Sequence, residues 1–152
     1  MATKLANSQT DRSPLAGDGP CLDGKIFEIT KAVTFEAAHR LPSRAEGDPY
    51  GRIHGHSFEL EATLSGKVQP GKLWVEDIAV LTSALEAIAG ELDHQLLNEI
   101  DGLAVPTLEN ILVWVAGRLS GELDHVSQVK ISRPSLKEVC VLRLGDVQES
   151  GR

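Results

Sequence analysis

The chain has 152 residues, a formal net charge of −7, 41% apolar residues and 24% charged residues. That length suits one ordinary domain with a real core, and that composition excludes a collagen-like or wholly disordered chain. The 15 Lys and Arg against 22 Asp and Glu, with no basic run, argue against a nucleic-acid or anionic-membrane binder, which needs a basic face to release counterions.

The residues from 1 to 24 carry scattered Ser, Pro and Gly and no periodicity, and read as a flexible N-terminal tail. The folded domain is expected over 25–146, with a short tail at 147–152. Alternating apolar and polar residues predict a strand over about 26–36, then a loop over roughly 41–51. A second long strand is predicted from His54 to Val68, antiparallel to the first, with Phe58, Leu60, Ala62 and Leu64 on one face. Gln69-Pro70-Gly71 is a turn.

Asp77 is an N-cap candidate for a helix whose stripe is Ile78, Leu81, Leu85 and Ile88, ending near Gly90. After a short link, Thr107 caps a second helix with Ile111, Leu112, Val115 and Leu119 on its apolar stripe and Gly121 as a stop. Two last strands fit Val126–Arg133 and Glu138–Leu144. The order β-β-α-α-β-β predicts an α+β fold, an antiparallel sheet with two helices on one face. Cys21 and Cys140 cannot make a disulfide framework, no apolar run approaches a membrane span, and no secretory leader is visible. A cytoplasmic protein is expected, with neither membrane nor nucleic acid as a partner.

Three of the five histidines cluster: His39, His54 and His56. Residues i and i+2 of a strand point the same way, so His54 and His56 share a face. His39, at the end of the partner strand, would be brought opposite. Three neutral imidazoles converging on a point are a ligand set for catalytic zinc, with a fourth position open. Gly55 would let the backbone pass close to that site. Glu36, Glu59 and Glu61 alternate on the same strands as solvated or supporting carboxylates. Asp93-His94 puts a carboxylate beside an imidazole, an arrangement for acid–base work, or else a helix-terminal Asp and an exposed His. Asp124-His125 reads as a surface turn.

Four segments occur in order: Phe35-Glu36-Ala37-Ala38-His39-Arg40-Leu41-Pro42, Gly51-Arg52-Ile53-His54-Gly55-His56-Ser57-Phe58, Leu92-Asp93-His94-Gln95-Leu96-Leu97-Asn98 and Pro106-Thr107-Leu108-Glu109-Asn110. Together they resemble the 6-pyruvoyltetrahydropterin synthase and 6-carboxytetrahydropterin synthase family, over about residues 26–144. The resemblance implies the tunnelling fold, trimers whose sheets close into a barrel, and a hexamer of two stacked trimers. It implies active sites between subunits, a dihydropterin substrate, and zinc on His39, His54 and His56. It also implies an assisting Asp93–His94 pair and a pterin ring held near Thr107 and Glu109.

Two positions depart from the family pattern. The family's proton-transfer cysteine stands four residues before the first His of HGH; here that position is Tyr50. A phenol with a pKa about 10 is a poorer base near neutrality than a thiol at about 8.5. Glu46 shares that loop. The family's pterin-anchoring glutamate aligns with Arg133, which offers only donors and prefers a carbonyl, carboxylate or phosphate. Either the hairpin shifts and Glu138 or Glu109 anchors the ring, or the substrate differs, or Arg133 is a surface strand residue. The expectation is a zinc-dependent lyase of the tetrahydropterin synthase type with altered substrate or chemistry. Synthase chemistry, carboxytetrahydropterin formation for queuosine-type bases and aldol cleavage all use this scaffold. The alternative is a non-catalytic homologue that binds zinc and a pterin-like or purine-like ligand.

Overall fold

A computed structural model describes residues 22, 24–42, 45–68 and 71–145. The expected tails over 1–24 and 147–152 lie outside the described residues, apart from Leu22 and Gly24. Six main elements follow in chain order: β1 (Ile26–His39), β2 (His54–Lys67), α1 (Ile78–Leu92), α2 (Leu108–Leu119), β3 (Val126–Arg133) and β4 (Glu138–Arg143). The strands form one antiparallel sheet in the order β1-β2-β3-β4. This is the α+β order expected.

The period of two decides which side chains meet the helices. Phe35, Ala37 and His39 of β1, Phe58, Leu60, Ala62 and Leu64 of β2, and Val129 and Ile131 of β3 are buried. Leu81, Leu85, Ile88 and Leu92 of α1 and Ile111, Leu112, Val115 and Leu119 of α2 pack against them. Ile78, expected on the apolar stripe, is exposed in the first turn of α1. Phe35 and Phe58 stack at 5.0 Å between ring centroids, a geometry worth about 0.5–1.5 kcal/mol beyond area burial.

Both helix caps form as expected. Asp77 Oδ1 accepts from Ala79 N at 2.8 Å, and Thr107 Oγ1 accepts from Asn110 N at 3.2 Å. The far end of α1 lies beyond the expected stop: α1 runs through Gly90, where an added Cβ would meet open space, and stops at Asp93, whose N–H still reaches Ala89 O. α2 ends at Leu119 with Ser120 as C-cap, so Gly121 follows directly, where a stop was expected. β1 continues three residues beyond the predicted end, because Ala37, Ala38 and His39 pair with His56, Gly55 and His54. Pairing overrides the weak strand propensity of alanine there.

Glu36, Glu59 and Glu61 face away from the helices. Glu36 accepts from Ser57 Oγ at 2.9 Å, and Glu61 pairs with Lys130. His125 adopts φ 67° in an exposed turn, as expected. Among the described residues, no helix is long and apolar enough to cross a membrane.

Candidate metal centre and active site

His39 and His54 are direct register partners at the open end of the β1–β2 pair, and His56 lies one pleat inward, opposite Ala37. All three turn to the helix-facing side of the sheet. Their ring centroids are 4.6, 5.2 and 4.9 Å apart, and three ring nitrogens, one from each, lie within 4.8 Å of one another. Phe58 supports the rings of His39 and His56 edge-on, at 6.2 and 5.7 Å.

Backbone carbonyls fix two of the tautomers. His39 Nδ1 lies 2.9 Å from Pro106 O, and His54 Nδ1 lies 2.8 Å from Arg52 O. A carbonyl only accepts, so each Nδ1 carries the proton and each Nε2 is left with a lone pair. Both Nε2 atoms are buried without a hydrogen-bond partner. Buried acceptors are rarely left so; a cation between them would satisfy both. Burial, followed by the nearby Arg133 charge, pushes the His56 imidazole down to about 4. Burial also lowers His39. Both stay neutral near pH 7, the form that ligates metal. Each donor needed for a three-imidazole metal centre is therefore present.

Arg133 is the neighbour that strand parity places here. Val129, Ile131 and Arg133 alternate inward along β3, so Arg133 is 9% exposed and not the surface residue that was one expectation. Its Nη1 donates to His56 Nε2 at 3.1 Å. Its Nη2 pairs with the carboxylate of Glu138, its register partner across the hairpin, and its Nε has no partner. Glu138 thus neutralises Arg133. Glu109 stands exposed in the first turn of α2. Its charge, after burial, helps push the Cys140 thiol up.

Tyr50 lies in a short 3-10 turn, Pro49–Gly51, whose Asp48 cap accepts from Tyr50 N at 3.0 Å. Its ring is 6.0 Å from that of His54 and half exposed, so the structure does bring Tyr50 to the histidines. Glu46 is exposed in the preceding turn. Gly55 is not required by a close approach at the centre: an added Cβ would meet only Ala37 O, at 3.6 Å, in ordinary contact.

Asp93 and His94 lie beside the outer edge of β1. His94 N and Ala38 N bond to Glu36 O and Gln95 O, which ties this segment to the strand as a short parallel strip. Asp93 uses both oxygens: Oδ1 accepts from Glu36 N and Oδ2 from His94 Nδ1, each at 2.8 Å. Those donors, the Glu36 amide first, hold the Asp93 carboxyl below its ordinary range. His94 adopts φ 57° and its side chain is 79% exposed. It borders a groove of about 520 Å³ lined also by Glu36, Ala38, Gly55 and Ser57. Among the described residues, no hydrogen bond or ring contact joins His94 to the three clustered histidines.

The sequence profile of 6-pyruvoyl tetrahydropterin synthase matches residues 28–144, most of the chain. The chain belongs to that family. It is 34% identical over 110 residues to a dihydroneopterin monophosphate aldolase of Pyrococcus furiosus, covering 72% of this chain and 88% of that one. It is 38% identical over 99 residues to a 6-carboxy-5,6,7,8-tetrahydropterin synthase of Synechocystis, covering 62% and 75%. The fold is similar to the structure of 6-pyruvoyl tetrahydropterin synthase from Caenorhabditis elegans. There the TM-score is 0.70 at 21% identity, over 80% of this chain and 97% of the other. The architecture of this 6-pyruvoyl tetrahydropterin synthase family member is the tunnelling fold.

Sequence reasoning missed the Arg133–His56 contact in this family member. The signal was present in the alternation of Val129, Ile131 and Arg133, which continues to the last residue of β3. Pro106, whose carbonyl orients His39, carried no such signal, because the contact spans 67 positions.

Proposed function

We propose that this chain is a zinc-dependent lyase acting on a dihydropterin-like substrate, with substrate or chemistry altered from the ordinary synthases. The observation that carries the reading is the pair of buried, unpartnered Nε2 atoms of His39 and His54 beside His56. His39, His54 and His56 would hold the ion, which supplies Lewis-acid polarisation of a ligand oxygen when bound. Asp93 keeps the Nδ1 proton on His94, so His94 Nε2 is a base open to a substrate proton. Tyr50, next to His54, stands where the family's cysteine transfers a proton. Thr107 and Glu109 at the start of α2 are assigned to the substrate ring.

Asp93 and His94 sit at the outer edge of β1, whereas the three histidines face the helices. The reading therefore places the working site between subunits of a homo-oligomer, a hexamer built as a dimer of trimers. β1 and β4 are both edge strands of the sheet, which suits edge-to-edge joining of copies. The aldolase and synthase names of the relatives leave carbon–carbon and carbon–oxygen bond cleavage as the two arms of the test.

A second reading is a non-catalytic homologue that binds zinc and a pterin-like or purine-like ligand. Tyr50 in place of a thiol and Arg133 in place of a carboxylate favour it. Arg133 suits a carbonyl, carboxylate or phosphate of the ligand, not an amino edge.

The deciding experiment incubates zinc-loaded protein with dihydroneopterin triphosphate and monophosphate and follows products by mass spectrometry. His94→Ala is the control. Product formation that requires His94 supports the lyase, and the product mass separates cleavage from synthase chemistry. Stoichiometric zinc with no turnover supports the binding protein.

A further inference from the structure

Arg133 Nη1 donates to Nε2 of His56, one of the three clustered histidines that could hold a metal ion. A guanidinium has no acceptor, so the imidazole is the acceptor there. A neutral imidazole has one such lone pair in its ring plane, and it serves one strong partner at a time. The other two clustered histidines have no such competitor: His39 Nε2 and His54 Nε2 are unpartnered.

Arg133 is built into this position, not swept across it from solvent. It is 9% exposed, and its backbone is fixed by the β3–β4 register opposite Glu138. The Glu138 carboxylate holds Nη2, while the buried Nε has no partner. Because Glu138 anchors one side of the guanidinium, the other can leave His56 without leaving the charge uncompensated. The positive charge beside the centre also disfavours any second cation among the three rings.

We propose that Arg133 and a metal ion compete for His56 Nε2, so that metal loading requires the buried guanidinium to release His56 while Glu138 retains it. This inference rests on the metal-centre reading above. Arg133 is then a positioning residue that sets metal affinity, and Glu138 tunes it through Arg133.

Zinc affinity of the full chain, measured by chelator competition at neutral pH, tests this without any turnover assay. Arg133→Met is expected to bind zinc roughly tenfold tighter or more, since one hydrogen bond and one repulsion are removed. Glu138→Gln is expected to bind zinc more weakly, because the guanidinium then leans on His56 alone. Equal or weaker zinc binding by a folded Arg133→Met, checked by circular dichroism and melting, overturns the inference. If Arg133→Met does not fold, an unchanged affinity in Glu138→Gln overturns it instead. Absence of zinc binding in wild type and both variants removes the metal-centre reading itself. Wild-type binding with no difference among the three removes this inference alone.

Discussion

His39 and His54 face each other as the last residue of β1 and the first of β2, and each turns its Nδ1–H to a backbone carbonyl outside the sheet. Orientation is thus fixed before any ion arrives.

Replacing one of these rings tests the centre directly. His54→Ala is expected to lower zinc affinity by more than about a hundredfold, since even orienting partners of ligands are worth about 10–100-fold. His54 is only half-buried, so the fold should persist. Zinc content after gel filtration, by mass spectrometry, measures the loss; retained stoichiometric zinc would refute the three-histidine centre.

Asp93→Asn separates a base from a structural tie. The amide oxygen can still accept from Glu36 N, so the strip beside β1 is kept. Its NH₂ cannot accept from His94 Nδ1–H, so the tautomer is lost. Turnover is expected to fall by about 10²–10⁴-fold with the melting temperature little changed. Steady-state kinetics on the active substrate reads it, and unaltered turnover would remove the pair from the reaction.

Phe58 is buried against Phe35, His39 and His56. Phe58→Ala is expected to cost about 3–5 kcal/mol in urea unfolding and to weaken zinc binding, because the two histidine rings lose their side support. A stability loss with unchanged zinc affinity would show that the rings hold themselves.

Burial, and then Glu109, raise the Cys140 thiol above its ordinary value. The thiol form is favoured in the folded state, so this contribution is present below the unfolded value and is lost as pH rises through the folded one. In a Cys21→Ser background, alkylation of native Cys140 should be slow near neutrality and rise only at more alkaline pH than in the denatured chain. Glu109→Gln should shift that rise downward. Equal pH profiles for native and denatured protein would contradict the arrangement.

The strands and helices were legible because period two and period 3.6 are local. Phe58 to Leu64 and Leu81 to Ile88 announce their buried faces without help from the rest of the chain. The histidine set was legible for the same reason: His54 and His56 share parity, and one antiparallel pairing adds His39. The end of β1 was not, because Ala37 and Ala38 become strand only through their partners on β2. The place of Asp93 and His94 was not either, since it depends on where α1 delivers the chain to the edge of β1. The burial of Arg133, one of several alternatives its sequence position left open, was not legible either, because it depends on Glu138 across the hairpin supplying the counter-charge that makes burial tolerable.

The three-histidine centre straddles the mouth of the segment over residues 40–53, with His39 before it and His54 after it. An ion held there would join two points of the chain as a cross-link does, restricting the unfolded ensemble as well as completing the folded one. Loading and folding would then share one equilibrium. Toward such a protein a chelator behaves as a mild denaturant.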